Sequence, residues 1–146
     1  MIKKTTSATK KSPISKKPKA PKRPTVNSAE DNALLDLAKV AAQTAYDTKG
    51  FDIQVLDLRK LSGFTDYFVI ISGRSDRQVR SIAEKIEVAM KKHHMRQIGS
   101  EGFDTSHWIL LDYGTIVVHV FFEETRTFYD IENLWGDAPR IRLKLT

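Results

Sequence analysis

The run Trp108–Phe122, Trp-Ile-Leu-Leu-Asp-Tyr-Gly-Thr-Ile-Val-Val-His-Val-Phe-Phe, constrains this chain more than any other stretch. It predicts two apolar strands joined at Tyr113-Gly114, because glycine accepts a positive φ and the flanking residues are the β-branched and aromatic types that suit a pleated surface. The second strand is apolar at nearly every position, which places it inside a sheet covered on both faces. Three residues are not explained by burial: Asp112, His119, and Trp108 at the exposed start of the first strand.

The rest of the chain supplies partners for that hairpin. Ser28, with Glu30 and Asp31 behind it, opens a helix whose apolar stripe is Leu34, Leu37, Ala38, Ala41 and Ala45, ending before Gly50. Ile53–Leu58 reads as an edge strand in which Asp57 is a solvated acid. Thr65–Gly73 is a continuous apolar run and predicts a buried central strand. A helix follows with a Ser75-x-x-Gln78 capping box and a buried face of Val79, Ile82, Ala83, Ile86 and Met90. Met95–Glu101 suggests a weaker strand, Thr127–Trp135 a short helix, and Ile141–Leu145 alternates as a last strand or an exposed arm. The order helix, strand, strand, helix, three strands, helix predicts an α/β (α+β) domain, a mixed β-sheet covered by helices.

The net charge of +6 resembles a nucleic-acid signal until it is placed along the chain. Of the 24 basic residues, nine lie in residues 1–27, leaving 15 against all 18 acids in residues 28–146. The basicity therefore belongs to a tail. With four of the five prolines and no acid, residues 1–27 lack the apolar area that offsets ordering entropy, and they are read as a disordered basic tail. Such a tail serves as a solubilising extension or attaches weakly to RNA phosphates. It has no apolar core of a secretory signal, and its single Arg and repeated Pro argue against a mitochondrial presequence. No run approaches a membrane span, so no membrane partner is implied. The absence of cysteine excludes disulfides and thiol catalysis.

Chemistry is not what the motifs advertise. The Ser72-Gly73-Arg74-Ser75 turn sits where many folds hold phosphate, but Asp76 already occupies the helix start and no Asp-x-Asp pair follows to hold two metal ions. His119 reads as a hydrogen-bonded core residue that could pair with Asp112. His93 and His94 are adjacent and cannot chelate together from one helix face. The aromatics Trp108, Tyr113, Phe128, Tyr129 and Trp135 are either core or the anchors of a protein interface.

Several blocks in order are similar to one known family. They are Asp66–Ile70, Ser72–Val79, Gly102, Trp108–Gly114, Val117–Phe121 and Arg126–Trp135, and they resemble the ribosomal silencing factor (Iojap-like) family. The resemblance spans about residues 28–138 and makes residues 28–146 an Iojap-like ribosome-binding domain beside the tail. It implies a nucleotidyltransferase-like fold without catalytic acids, no enzymatic activity and no cofactor. It also implies binding to the large ribosomal subunit through the fourteenth large-subunit protein, which blocks joining of the small subunit and represses translation. The family's contact role falls on Trp108, Ile109, Asp112 and Tyr113, with Asp66, Arg77 and Tyr129 as further motif positions. The implied setting is the bacterial cytoplasm rather than a mitochondrion or plastid, as a monomer or a homodimer. A nucleotide-using enzyme on the same fold and an RNA-binding protein acting through its tail are the competing readings.

Overall fold

The computed structural model describes residues 28–146. The tail assigned to residues 1–27 lies outside them. Nine elements follow in order: α1 (Ser28–Asp47), β1 (Phe51–Asp57), β2 (Tyr67–Gly73), α2 (Asp76–Lys92), β3 (Gly99–Glu101), β4 (Trp108–Asp112), β5 (Ile116–Phe122), α3 (Glu123–Tyr129) and α4 (Ile131–Leu134). The strands form one mixed sheet in the order β1-β2-β5-β4-β3.

The centre of the sheet is the parallel pair β2 and β5, with Tyr67 opposite Ile116 and Gly73 opposite Phe122. Every residue of β2 is buried, as are all of β5 except Phe122. Alternation then sorts the side chains. Val69, Ile71, Val118 and Val120, with Ile109 and Leu111 of β4, pack beneath α1 and α2. Phe68, Ile70, Val117 and Phe121 face the other way, against Ile131, Trp135 and Ala138. The sheet is thus covered by helices on both faces, as the order of elements predicts.

Three local features differ from the sequence reading. The last helix begins earlier and is broken in two, because Asp130 adopts the left-handed conformation at φ 46° and ψ 51°. Aspartate tolerates that region better than a branched residue. The break sends Ile131 and Trp135 into the core and leaves Phe128 and Tyr129 in solvent. Asp57 is not a solvated acid: Arg59 donates to both of its carboxylate oxygens, at 2.9 and 2.7 Å. Residues 141–145 form an arm along β1, in which Ile141 N–H donates to the Val55 carbonyl at 2.9 Å and Ile141, Leu143 and Leu145 pack on the core.

Arg126, which sequence reasoning passed over, ties these parts together. Its guanidinium is nearly buried; it donates to the Asp52 carbonyl at 2.6 Å and the Ser72 hydroxyl at 2.8 Å, and pairs with Glu132 at 2.9 Å. One side chain therefore links α3 to α4, β1 and β2, and its charge is matched where water is scarce.

Gly102 sets the path into the hairpin. Its φ is +95°, and a Cβ there would lie 1.9 Å from the Trp108 carbonyl oxygen. Gly102→Ala is expected to destabilise the domain by about 2 kcal/mol or more, read as a lower urea midpoint at an unchanged slope.

Candidate functional site: the open margin of the sheet

The cover over the second face stops short of β4. This strand alternates in burial, with Ile109 and Leu111 buried and Trp108, Leu110 and Asp112 half-buried on the other side. The period of two that builds a strand therefore divides the hairpin's first strand into a core face and an open face. Trp108 is the pivot of the open face. Its ring stacks on Phe121 with centroids 4.9 Å apart and meets Tyr129 at 4.9 Å, and Phe128 stands edge-on to Tyr129 at 5.0 Å. Tyr129 is 53% exposed and Phe128 79%, so a shelf of aromatic surface leads outward from a ring that is itself fixed.

What fixes that ring is His119. The Trp108 indole Nε1–H donates to His119 Nδ1 at 3.1 Å. The expected pairing with Asp112 does not occur, because the register sets Leu110 opposite His119 and Asp112 opposite Val117. The Asp112 carboxylate instead accepts the Gly114 N–H at 2.8 Å and closes the turn. With Nδ1 accepting, the neutral ring carries its proton on Nε2, which has no hydrogen-bond partner among the described residues. Phe68 lies edge-on at 4.5 Å and Phe121 is stacked at 6.1 Å, so His119 sits in an aromatic cage. Burial pushes its pKa down to about 3, and the ring stays neutral.

The seven residues assigned to partner contact are not brought together. Trp108 and Asp112 lie on the open face, and Tyr129 flanks it. Ile109 is fully buried under the helices and presents no surface, which corrects its assignment as a contact side chain. Tyr113 is also buried; its hydroxyl donates to Gln97 Oε1 at 3.1 Å, and burial pushes its pKa up to about 12. Asp66 is buried at the entrance to β2, where its N–H donates to Thr115 at 2.9 Å and its carbonyl accepts from Leu58 at 2.8 Å. Arg77 is exposed in the first turn of α2, in the helical layer that covers the opposite face. Leu110 and Phe128 complete the open face. Leu110 was legible from its i, i+2 spacing to Trp108 and Asp112; Phe128 depended on the break at Asp130.

The phosphate-like turn before α2 is already occupied. Arg74 N–H donates to Gln78 Oε1 at 2.6 Å, and Gln78 N–H to Ser75 Oγ at 3.1 Å. The capping box is present with one change, since the Gln78 side chain reaches Arg74 rather than Ser75. Among the described residues no three His, Asp or Glu side chains gather as metal ligands, and no helix is long and apolar enough to cross a membrane.

Fold and site together define an α+β domain that presents a rigid aromatic margin rather than a gathered set of reactive groups. Residues 30–146 match the family described as "Ribosomal silencing factor during starvation". The ribosomal silencing factor RsfS of Bacillus subtilis is 42% identical over 103 residues, covering 70% of this chain and 87% of that one. A mouse relative named "Mitochondrial assembly of ribosomal large subunit protein 1" is 36% identical over 88 residues, 58% of this chain and 38% of its own. The crystal structure of a Chromobacterium violaceum protein superposes with a TM-score of 0.69 at 35% identity, over 77% of this chain and 92% of that one. The chain belongs to the ribosomal silencing factor family, a family of ribosome-associated regulators.

His119 makes the stability of the site depend on pH in a defined direction. Its pKa falls from about 6.5 in the unfolded chain to about 3 in the folded one. Below pH 6.5 only the unfolded chain takes up the proton, so the folded state loses up to about 1.4 kcal/mol per pH unit as pH falls toward 3. His119→Gln, neutral throughout, is expected to flatten the stability profile between pH 6.5 and 5, where few carboxylates titrate. Urea unfolding at several pH values measures it.

Proposed function

We propose that this protein represses translation by binding the large ribosomal subunit through its fourteenth ribosomal protein and covering area that the small subunit needs. The observation that carries this reading is the open face of β4. Trp108, Leu110 and Asp112 lie half-buried on the sheet face opposite α1 and α2, and Tyr129 and Phe128 extend the same surface. Exposed aromatics backed by a rigid sheet, beside one fixed carboxylate, have the composition of an interface anchor. Because the ring of Trp108 is already held by His119 and Phe121, little side-chain freedom is lost on binding.

The mechanism is steric and follows mass action. A bound domain excludes the small subunit for as long as it stays bound, so the blocked fraction depends on concentration relative to Kd and involves no turnover. Family membership supports the role, and the name of the mouse relative points to the large subunit. The bacterial relatives support a bacterial cytoplasmic setting for this activity.

Sedimentation with purified subunits through sucrose tests the reading. The protein should travel with the large subunit and not the small one. Tyr129→Ala removes an exposed anchor, and Asp112→Lys inverts the charge at the turn; each is expected to weaken binding by roughly tenfold or more while the domain stays folded. Unchanged co-sedimentation of both variants would remove the interface from this face.

A further inference from the structure

Charge in the folded domain is acidic in sum but not uniform. Between Val88 and Ser100 there is no Asp or Glu, while Lys91, Lys92, His93, His94 and Arg96 stand within six consecutive positions. All five are exposed. The ion pairs among the described residues belong to Arg59 and Arg126, so the three fixed cations have no carboxylate within ion-pair distance, Glu87 one turn back included. Lys91 and Lys92, in the last turn of α2, complement the helix dipole. Arg96 lies beyond the helix, where the dipole does not explain it.

The backbone holds this basic segment in place. His93 caps α2, and His94 turns the chain with a φ of 59°. Met95 then packs on the core. Gln97 accepts the Tyr113 hydroxyl at 3.1 Å, and Ile98 N–H donates to the Asp112 carbonyl at 2.7 Å. The cations are therefore anchored at the turn end of the β4–β5 hairpin, on the side of the helical layer and at the opposite end of β4 from Trp108.

We propose that the end of α2 and the segment through Arg96 form a phosphate-backbone contact for RNA, at the turn end of the β4–β5 hairpin. Three unpaired cations on a fixed stretch of backbone match a run of phosphates, and the two imidazoles add hydrogen-bond donors or stacking surface. A lipid surface fits less well, since Val88 and Ile98 are the exposed large apolar residues of the stretch and two separated side chains do not supply an apolar face. The inference deepens the docking reading and rests on it: a domain seated on one ribosomal protein stands beside ribosomal RNA, and this contact would fix its orientation without reading sequence.

The test uses the full chain and the variant Lys91→Gln/Lys92→Gln/Arg96→Gln, with the tail identical in both so that its contribution cancels. Binding is measured against salt with two probes, purified large subunits and a fluorescently labelled A-form RNA duplex. The expected result is that the variant binds both probes more weakly, with the slope of log K against log salt smaller by about 2, while Tyr129→Ala leaves that slope unchanged. Equal slopes for variant and parent on the duplex overturn the proposal whether or not the subunit is bound. A slope change on subunits alone, with none on the duplex, overturns it in favour of an acidic protein segment. Failure of the parent to bind subunits, with the duplex difference intact, sinks the docking reading and leaves the RNA contact standing. Matching thermal unfolding of the two proteins excludes a folding defect.

Discussion

The parallel pairing of β2 with β5 is the constraint on which the rest of the molecule depends. A parallel pair buried on both faces needs cover on both. The amphipathic α1 and α2 supply one layer, and the residues after the break at Asp130 supply the other. Two polar residues nevertheless lie within the pair, Ser72 and His119, and each must be matched where water does not reach. Ser72 accepts from Arg126 and His119 accepts from Trp108. Those two bonds attach the peripheral elements to the centre, one holding α3 and α4, the other orienting the margin of β4.

This economy separates support from surface within single elements. In β4, neighbouring residues have opposite tasks: Ile109 and Leu111 hold the strand to the helical layer, while Trp108, Leu110 and Asp112 lie half-buried on the other face. In the last helical segment the left-handed Asp130 makes the same division, with Ile131 and Trp135 buried and Phe128 and Tyr129 free. The orphaned Nε2 of His119 is a cost borne inside the core, and the aromatic cage around it keeps the ring neutral and the indole in one position.

A regulator that acts by occupying space, as proposed here, would need little else. The aromatic margin would give a surface that need not reorganise on binding, and the basic end of α2 would add an orienting electrostatic contact at the turn end of the hairpin. The net acidity of residues 28–146 keeps that attraction local, because long-range attraction of the whole domain to RNA is weak while three cations at one end remain unopposed.

Much of the fold was legible in the sequence because hydrophobic periodicity reports directly on secondary structure. The order of elements, the buried β5, the turn at Gly114 and the capped start of α2 all follow from local pattern. The Trp108–Tyr113 strand and turn were legible in the same way, though not their division into two faces. The contact roles that the resemblance implied for Ile109 and Tyr113 fall on side chains the fold buries, and the His119–Asp112 pair suggested by the hairpin does not form. The physical reason is that a strand's two faces become different only when something packs on one of them, and a side chain's partner is set by register with a distant strand. The sequence by itself determined that a hydrophobic hairpin would form and sit deep in a mixed sheet. Tertiary structure alone decided which side of β4 stays open and that His119 belongs to Trp108, because cover and register are long-range facts that no local pattern contains.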